Sequence, residues 1–231
     1  PLLPRHAQQI EEVLRERVPP DAVPFLSESV WYQFGSGGKR LRPALCLISC
    51  DAFGGDTQRA LPFALATELL HNFFLVHDDI EDGDTMRRDK PTLWVEAGVP
   101  NAINVGDYIV AIAYDLIAKS DLDAEVIVEL LVCFSRTFRR TVEGQALDIN
   151  LRGQPDVDLE TYRRIVRLKT AYYLALPWVG GAVIAGQTPD VIQPLWDLGH
   201  VLGPAFQIRD DLLDLTAGKG RGGEIGCDLK E

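Results

Sequence analysis

The chain has 231 residues, of which 46% are hydrophobic and 25% are charged, and its 34 acidic and 23 basic residues give a formal net charge of −11. Proteins that bind nucleic acid hold the phosphate backbone with clustered lysine and arginine, so this balance argues against nucleic acid as a partner. The composition is that of an ordinary globular protein, and a chain of this length can bury roughly 70–75% of its unfolded surface.

The four cysteines are Cys46, Cys50, Cys133 and Cys227, and they lack the paired C-x-x-C spacing of a zinc site. This usage favours a reduced, cytoplasmic protein. Cys46 and Cys50 lie one helical turn apart, and we expect both to be buried and inert. No run reaches the roughly 18 apolar residues of a membrane span, and we find no signal peptide.

Apolar residues recur every three or four positions, and hairpin signals are nearly absent, so the sequence predicts an all-α fold. A first helix contains Ile10, Val13 and Leu14 and ends before Pro19. The other predicted helices start after the glycine turn 35–38 and run to about 52, then over about 57–81, 105–118, 124–150, 159–180 and 189–215, followed by a glycine-rich loop over 216–226.

The predicted helix over 57–81 is long and apolar, and we expect five of its residues to face the protein interior: Leu65, Leu69, Leu70, Phe73 and Val76. Long helices with short connections are typical of a bundle, whose centre can hold a ligand between facing side chains. The sequence therefore predicts a helical bundle around a central cavity.

A short acidic pattern, DDxxD, occurs twice near the end of a predicted helix. Positions i and i+4 share a helix face, so Asp78 lies over Asp82 and Asp210 over Asp214. Mg²⁺ takes oxygen ligands and commonly shares itself between carboxylates and substrate phosphates. One such cluster is readily explained as a solvated helix end, whereas two that follow apolar residues indicate a metal site. An EF-hand is excluded, because the third loop position counted from Asp78 is Ile80.

Basic residues complement these acidic clusters. The segment Gly37–Pro43 (GGKRLRP) brings glycines and up to three cations to a helix start, where N–H groups and the helix dipole favour an anion. Arg87 and Arg88 follow the first cluster, and Lys169 lies in an otherwise apolar helix. Taken singly, Lys169 and Arg42 are also explained as side chains that extend to solvent. Together with the aspartates, these cations indicate diphosphate groups held by metals and by direct contacts.

The segments that carry this chemistry resemble the trans-isoprenyl diphosphate synthases, or polyprenyl synthetases. They are GGKRLRP, HNFFLVHDDIEDGDTMRR, the pair Gly106–Asp107, EGQALDI, LKT and FQIRDDLLD, in this order. The resemblance implies an isoprenoid-synthase-type helical bundle, a homodimer, and Mg²⁺-dependent joining of isopentenyl diphosphate to an allylic diphosphate (dimethylallyl, geranyl or farnesyl). We expect residues 1–231 to form a single synthase domain that lacks the family's C-terminal helices.

The resemblance also assigns roles to individual residues. It implies six metal ligands: Asp78, Asp79, Asp82, Asp210, Asp211 and Asp214. It implies that Arg87, Lys169, Thr170 and Gln207 contact the allylic diphosphate, and that Lys39, Arg42, His71 and Arg88 bind isopentenyl diphosphate. The catalytic set is then Asp78, Asp79, Asp82, Arg87, Lys169 and Asp210, with Gln145 and Asp148 behind it. His71 is also explained as a buried core histidine.

Two aromatic residues, Phe73 and Phe74, precede Asp78 and are expected to limit product length. A prenyl chain whose diphosphate is bound at Asp78 extends toward the start of this helix, where one turn covers about 5.4 Å. On an ideal helix Phe74 lies within roughly 40° of the Asp78 face and Phe73 about 140° from it, which favours Phe74 as the floor. The resemblance implicates both rings and predicts a short-chain product of fifteen or twenty carbons. Both rings are alternatively plain core residues.

The sequence departs from the family pattern after the second acidic motif. Gly223 or Glu224 stands where the family has a lysine, and we expect Lys219 or Arg221 to substitute. Three other functions are considered. A class I terpene cyclase usually has a different second metal motif, and a squalene-type enzyme has differently spaced aspartates. A regulatory subunit of a heteromeric synthase is the third, although it would not need both aspartate clusters.

Overall fold

The computed structural model describes residues 2–154 and 156–217, with side chains described for 8–154, 156–210, 212 and 213. This part of the chain is mostly helical, which confirms the all-α prediction. The helices are α1 Leu2–Arg17, α2 Leu26–Gly35, α3 Leu41–Ala52, α4 Thr57–Glu81, α5 Leu93–Ala97, α6 Val99–Ala118, α7 Ala124–Leu151, α8 Leu159–Val166, α9 Tyr172–Ile184 and α10 Pro189–Ala217. A π-helical turn, Arg167–Ala171, joins α8 to α9, and β1 Met86–Arg87 pairs with β2 Lys90–Pro91.

Helix α4 is the central element of the bundle. Asp56 caps its start, because the carboxylate accepts a hydrogen bond from the Gln58 backbone N–H at 2.8 Å. The helix packs against α3, α6 and α9. All five residues that the sequence predicts to face inward are buried: Leu65, Leu69, Leu70, Phe73 and Val76. Burial on several sides fixes the C-terminal end of α4, which carries the first acidic motif.

Two helix boundaries differ from the sequence prediction. Helix α6 starts at Val99 and not at the predicted residue 105. Pro100 lies in its first turn, where a missing N–H breaks no hydrogen bond. Helix α9 continues through Gly180 to Ile184. A Cβ on Gly181 would come within 2.4 Å of the Cys46 carbonyl oxygen, so this glycine lets α9 approach α3 closely and does not end the helix.

The short hairpin β1–β2 and the helices α2 and α5 were not predicted from the sequence. The hairpin turn consists of Arg88 and Asp89, which both have positive φ angles of 53° and 61°. Two such residues make the type I′ turn that suits a two-residue hairpin. The usual sequence signal for this turn is Asn-Gly or Asp-Gly. The sequence Arg88-Asp89 lacks this signal, so the hairpin could not be predicted from it. The hairpin holds Arg87 beside the end of α4.

The cysteines of the described part of the chain are Cys46, Cys50 and Cys133, and all three are buried free thiols. Burial raises the pKa of Cys46 well above its usual value and that of Cys50 to about 11, so these thiols stay protonated and unreactive. Within the same residues, no helix has the length and apolar character to cross a membrane. The glycine-rich loop was predicted over 216–226, but residues 216 and 217 belong to α10. The rest of this loop, with Lys219 and Arg221, and Cys227 lie outside the described residues.

Candidate active site

A cavity of about 380 Å³ lies between α4, α7, α10 and the π-helical turn. Asp78 lines it from the last turn of α4, Asp82 from the residue that follows this helix, and Asp210 from α10. The structure thus brings carboxylates of both acidic motifs to one cavity. The side chains of Asp211 and Asp214 lie outside the described residues.

The three aspartates of the first motif have different surroundings. Asp79 is buried, does not line the cavity, and accepts a hydrogen bond from Arg87 Nε at 2.5 Å. Asp82 accepts one from Arg152 Nη2, also at 2.5 Å. Burial raises the pKa of Asp78 to about 7, although the charge of Lys169 opposes this shift. Asp78 and Asp82 therefore offer oxygens to the cavity, whereas Asp79 anchors Arg87.

Lys169 supplies a positive charge to the cavity wall opposite α4. Its Nζ lies 2.8 Å from Asp148 Oδ2. Burial acts to lower the pKa of Lys169, but the negative charges of Asp78 and Asp148 outweigh it and raise that pKa. The adjacent Thr170 donates a hydrogen bond to Gln207 Oε1 at 3.0 Å. The ammonium group is therefore held in its charged form beside the aspartates.

The π-helical turn that carries Lys169 and Thr170 packs closely against its neighbours. A Cβ on Gly144 of α7 would come within 2.6 Å of the Lys169 backbone nitrogen. A Cβ on Gly203 of α10 would come within 2.6 Å of Ala171 Cα. Single π-helical turns are frequent at functional sites, and here two glycines allow the turn to fit between α7 and α10.

At the other end of the cavity lie Arg42 and His71, two of the residues expected to bind isopentenyl diphosphate. The Arg42 guanidinium carbon lies 4.1 Å from the centre of the Tyr173 ring, a cation–π contact. Among the described residues, Arg42 Nε is buried without a hydrogen-bond partner. Burial, together with the nearby arginines, lowers the pKa of His71 well below its usual value, so its imidazole is neutral.

The other two residues of that predicted set, Lys39 and Arg88, do not line the cavity. Lys39 is exposed, and Arg88 donates a hydrogen bond to the Gly37 carbonyl. Gly38 has a φ of 123°, a backbone conformation that residues with a side chain rarely adopt, so this position favours glycine. Arg40, the remaining cation of the segment Gly37–Pro43, does not line the cavity and pairs with the buried Glu68 carboxylate at 3.0 Å.

The two aromatic residues before Asp78 point in different directions, as helix geometry predicts. Phe74 lines the cavity. Phe73 does not, and its ring packs against the rings of His77 and Phe138 at centroid distances of 4.2 and 4.9 Å. Of these two rings, only Phe74 is therefore in a position to contact a ligand in this cavity.

The carboxylates fit a divalent cation that is shared with a ligand. Within the described residues, no three His, Cys, Asp or Glu side chains converge to hold a metal ion by themselves. Mg²⁺, however, is usually bound by one or two carboxylates, several waters and substrate phosphates. Asp78, Asp82 and Asp210 are hard oxygen donors on facing walls of one cavity, which suits that mode of binding.

Several lining residues were missed by the sequence analysis: Thr141, Arg152, Tyr162, Tyr173 and Phe206. One of them had a signal, because Phe206 precedes Asp210 by four residues just as Phe74 precedes Asp78. Arg152 had none, since its partner Asp82 lies 70 residues away in the sequence.

Comparisons with known proteins point to one family. The sequence profile described as polyprenyl synthetase matches residues 23–231. A geranylgeranyl diphosphate synthase from Sulfolobus acidocaldarius is 39% identical, over 96% of this chain and 68% of its own length. A geranylfarnesyl diphosphate synthase from Natronomonas pharaonis is 32% identical, over 94% of this chain and 70% of its own length.

Solved structures agree with this likeness. The crystal structure of a geranylgeranyl pyrophosphate synthetase from Pyrococcus horikoshii superposes with a TM-score of 0.91 and 35% identity, covering 99% of this chain and 71% of that one. The match therefore extends over the whole bundle, including every element that lines the cavity.

Proposed function

Because this chain belongs to the polyprenyl synthetase family, we propose that it transfers an allylic prenyl group to isopentenyl diphosphate and releases a short-chain polyprenyl diphosphate. The observation that carries the proposal is the single cavity in which carboxylates of both acidic motifs face Lys169, Arg87 and Arg42. Such a cavity suits two diphosphates, one held through divalent cations and one held directly.

The allylic diphosphate is proposed to bind at the aspartate end of the cavity. Asp78, Asp82 and Asp210 would hold Mg²⁺, and Lys169 and Arg87 would contact the phosphate oxygens, with Thr170 and Gln207 beside them. When bound, Mg²⁺ would neutralise the charge of the diphosphate leaving group. Asp79, which the resemblance also implies as a metal ligand, is proposed instead to orient Arg87, because it accepts the Arg87 hydrogen bond away from the cavity.

Isopentenyl diphosphate is proposed to bind at the end formed by Arg42 and His71. Arg42 would contact its phosphates, and the neutral imidazole of His71 would donate a hydrogen bond. Lys39 and Arg88 lie on the loop and hairpin outside the lining. They would contribute positive charge at the edge of this end, since the Gly37 carbonyl holds the Arg88 guanidinium there.

The chemistry requires no protein nucleophile. The allylic C–O bond breaks and its electron pair leaves with the diphosphate, which fixed positive charges stabilise. The double bond of isopentenyl diphosphate forms the new C–C bond, and the proton that is then lost passes to the departing diphosphate. Water would trap the allylic cation, and the apolar wall of Phe74, Leu75, Ile165 and Val166 limits its access.

We propose a main product of fifteen or twenty carbons. The aromatic ring of Phe74 occupies the wall one turn before Asp78, so a growing chain meets it early. Relatives named geranylgeranyl diphosphate synthases favour twenty carbons. The resemblance further supports a homodimer as the assembly.

The proposal is tested with the purified full chain, labelled isopentenyl diphosphate, and dimethylallyl, geranyl or farnesyl diphosphate. We expect a product of fifteen or twenty carbons, detected by chromatography after dephosphorylation. Its formation should require Mg²⁺ and should stop when a chelator is added. Arg42→Ala should raise the KM for isopentenyl diphosphate about tenfold more than the KM for the allylic partner. Arg139→Ala, on the exposed face of α7, is the matched control. Absence of Mg²⁺-dependent product would overturn the proposal.

A further inference from the structure

The C-terminal end of α7 presents one polar face to the cavity. Gln145, Asp148 and Arg152 follow one another at spacings of three and four residues, which keeps them on one side of the helix. Gln145 donates to Glu81 Oε2 at 2.9 Å, and Asp148 accepts from Lys169 at 2.8 Å. Arg152, directly after the last residue of α7, donates to Asp82. This face therefore contacts the charged groups that surround the cavity.

The contact between Arg152 and Asp82 differs from the other two because it involves a carboxylate proposed to bind a cation. Arg152 Nη2 lies 2.5 Å from Asp82 Oδ1, and the side chains are 21% and 8% exposed. A pair so shielded from water is screened only weakly by salt. A guanidinium and a divalent cation compete for the same carboxylate oxygens, and their positive charges repel each other.

We propose that Arg152 is a positioning residue that holds the Asp82 carboxylate before a divalent cation binds. The cation has to displace the guanidinium or share the carboxylate with it, so Arg152 sets the cation concentration at which the first acidic motif is filled. The inference rests on the proposed function, from which it takes the divalent cation. Because Arg152 itself lines the cavity, its guanidinium stays within reach of a diphosphate after release.

The test is a titration of the purified full chain with Mn²⁺ alone, followed by electron paramagnetic resonance of the free ion, in the absence of prenyl substrates. Arg152→Gln removes the charge and keeps a hydrogen-bond donor, and it should tighten Mn²⁺ binding on the order of tenfold. Arg152→Met is a second neutral variant with the same expected effect. Arg152→Lys retains the charge and should restore an affinity close to that of the unchanged protein. Arg139→Gln, on the opposite exposed face of α7, should leave the affinity unchanged.

A double-mutant cycle with Asp82→Asn separates this role from a purely structural one. In the Asp82→Asn background, Arg152→Gln should change Mn²⁺ affinity less than about twofold, because the shared carboxylate is gone. Unchanged or weaker Mn²⁺ binding by the folded neutral variants would overturn the inference, as would a full effect of Arg152→Gln without Asp82.

The inference and the proposed function fail separately, since the titration needs no prenyl transfer. If the chain forms prenyl product but Arg152→Gln leaves Mn²⁺ affinity unchanged, only the role of Arg152 is lost. If Arg152→Gln tightens Mn²⁺ binding but no prenyl product forms, only the proposed reaction is lost.

Discussion

The two acidic motifs have the same spacing but different surroundings. In each, a phenylalanine precedes the first aspartate by four residues: Phe74 before Asp78, and Phe206 before Asp210. All four residues line the cavity. Phe74 is nevertheless only 7% exposed, whereas Phe206 is 45% exposed. The residues two positions before each aspartate differ even more, because Val76 is 1% exposed and Ile208 is 46% exposed.

This difference in exposure arises from the elements that pack against α4 and α10. Helix α4 packs against α3, α6 and α9, whereas α10 contacts α8, α9 and the π-helical turn that joins them. Within the described residues, α10 is therefore covered mainly from one side. Residue spacing thus determines which helix face meets the cavity, while burial of the other faces determines how firmly the motif is held.

The largest expected effect is on turnover, where the two motifs should behave alike. Asp78→Ala and Asp210→Ala should each lower kcat on the order of a thousandfold, because positioned carboxylate–metal contacts stabilise the transition state by several kcal/mol. Steady-state kinetics measure this, with Asp115→Ala on the exposed face of α6 as the control. Near-normal turnover of either variant would remove that motif from the catalytic site.

The two acidic motifs should differ in their contribution to stability, although they should contribute alike to turnover. Asp79→Asn should lower the free energy of unfolding by about 3 kcal/mol, because it breaks a buried ion pair with Arg87. Breaking a fully buried pair costs about 3–5 kcal/mol, and the lower value applies here because Arg87 keeps 22% exposure. Asp210→Asn should change the free energy of unfolding by less than about 1 kcal/mol. Urea denaturation gives both values, and equal losses would mean that the second motif is held as firmly as the first.

A smaller effect is expected for the apolar pair that differs most in exposure. Val76→Ala should cost about 2 kcal/mol of unfolding free energy, the transfer free energy of two methylene groups plus a residual cavity. Ile208→Ala removes more carbon atoms but should cost less than about 0.5 kcal/mol, because its side chain is already in contact with water. Urea denaturation measures both, and a larger loss for Ile208→Ala would contradict the comparison.

The subtlest expected effect is on product length. Phe74→Ala should lengthen the main product by at least one isoprene unit, because the buried ring in the cavity wall is removed. Phe73→Ala should leave the length unchanged and lower stability by about 3 kcal/mol, since that ring packs in the core. Chromatography of dephosphorylated products tests both.

Two related variants sharpen this result. The double substitution of Phe73 and Phe74 by alanine should give products no longer than those of Phe74→Ala alone. Phe206→Ala should not change the length, because its exposed ring offers a growing chain little resistance. If the double variant stays folded and active with the original products, the floor of the cavity lies elsewhere.

Much of the fold and site could be predicted because the informative relationships are local. A spacing of four residues is enough to align Asp78 with Asp82 and Phe74 with Asp78. Glycines and cations adjacent in the sequence identify the loop before α3. The buried face of α4 follows from the period of its apolar residues, and all five predicted residues are buried.

The remainder depends on tertiary packing. Arg152 meets Asp82 across 70 residues, and no periodic pattern relates them. The Asp79 side chain turns to Arg87 and not to the cavity, although its neighbour Asp78 does line it; the sequence DD does not distinguish the two. The π-helical turn was predicted as part of one continuous helix, because α-helical and π-helical turns are formed by the same types of residue.

The π-helical turn makes the length of its segment as important as its composition. A π turn contains one residue more than an α turn, so deleting a single residue between Arg167 and Ala171 would restore an α-helical register. The helices on either side would keep their phase, because the π turn is where the extra residue is accommodated. Lys169 and Thr170, which lie within the turn, would instead shift relative to the cavity with no lining residue substituted. In an alignment of relatives, a one-residue gap at this turn therefore carries more information about the placement of these two residues than most substitutions in the same helix.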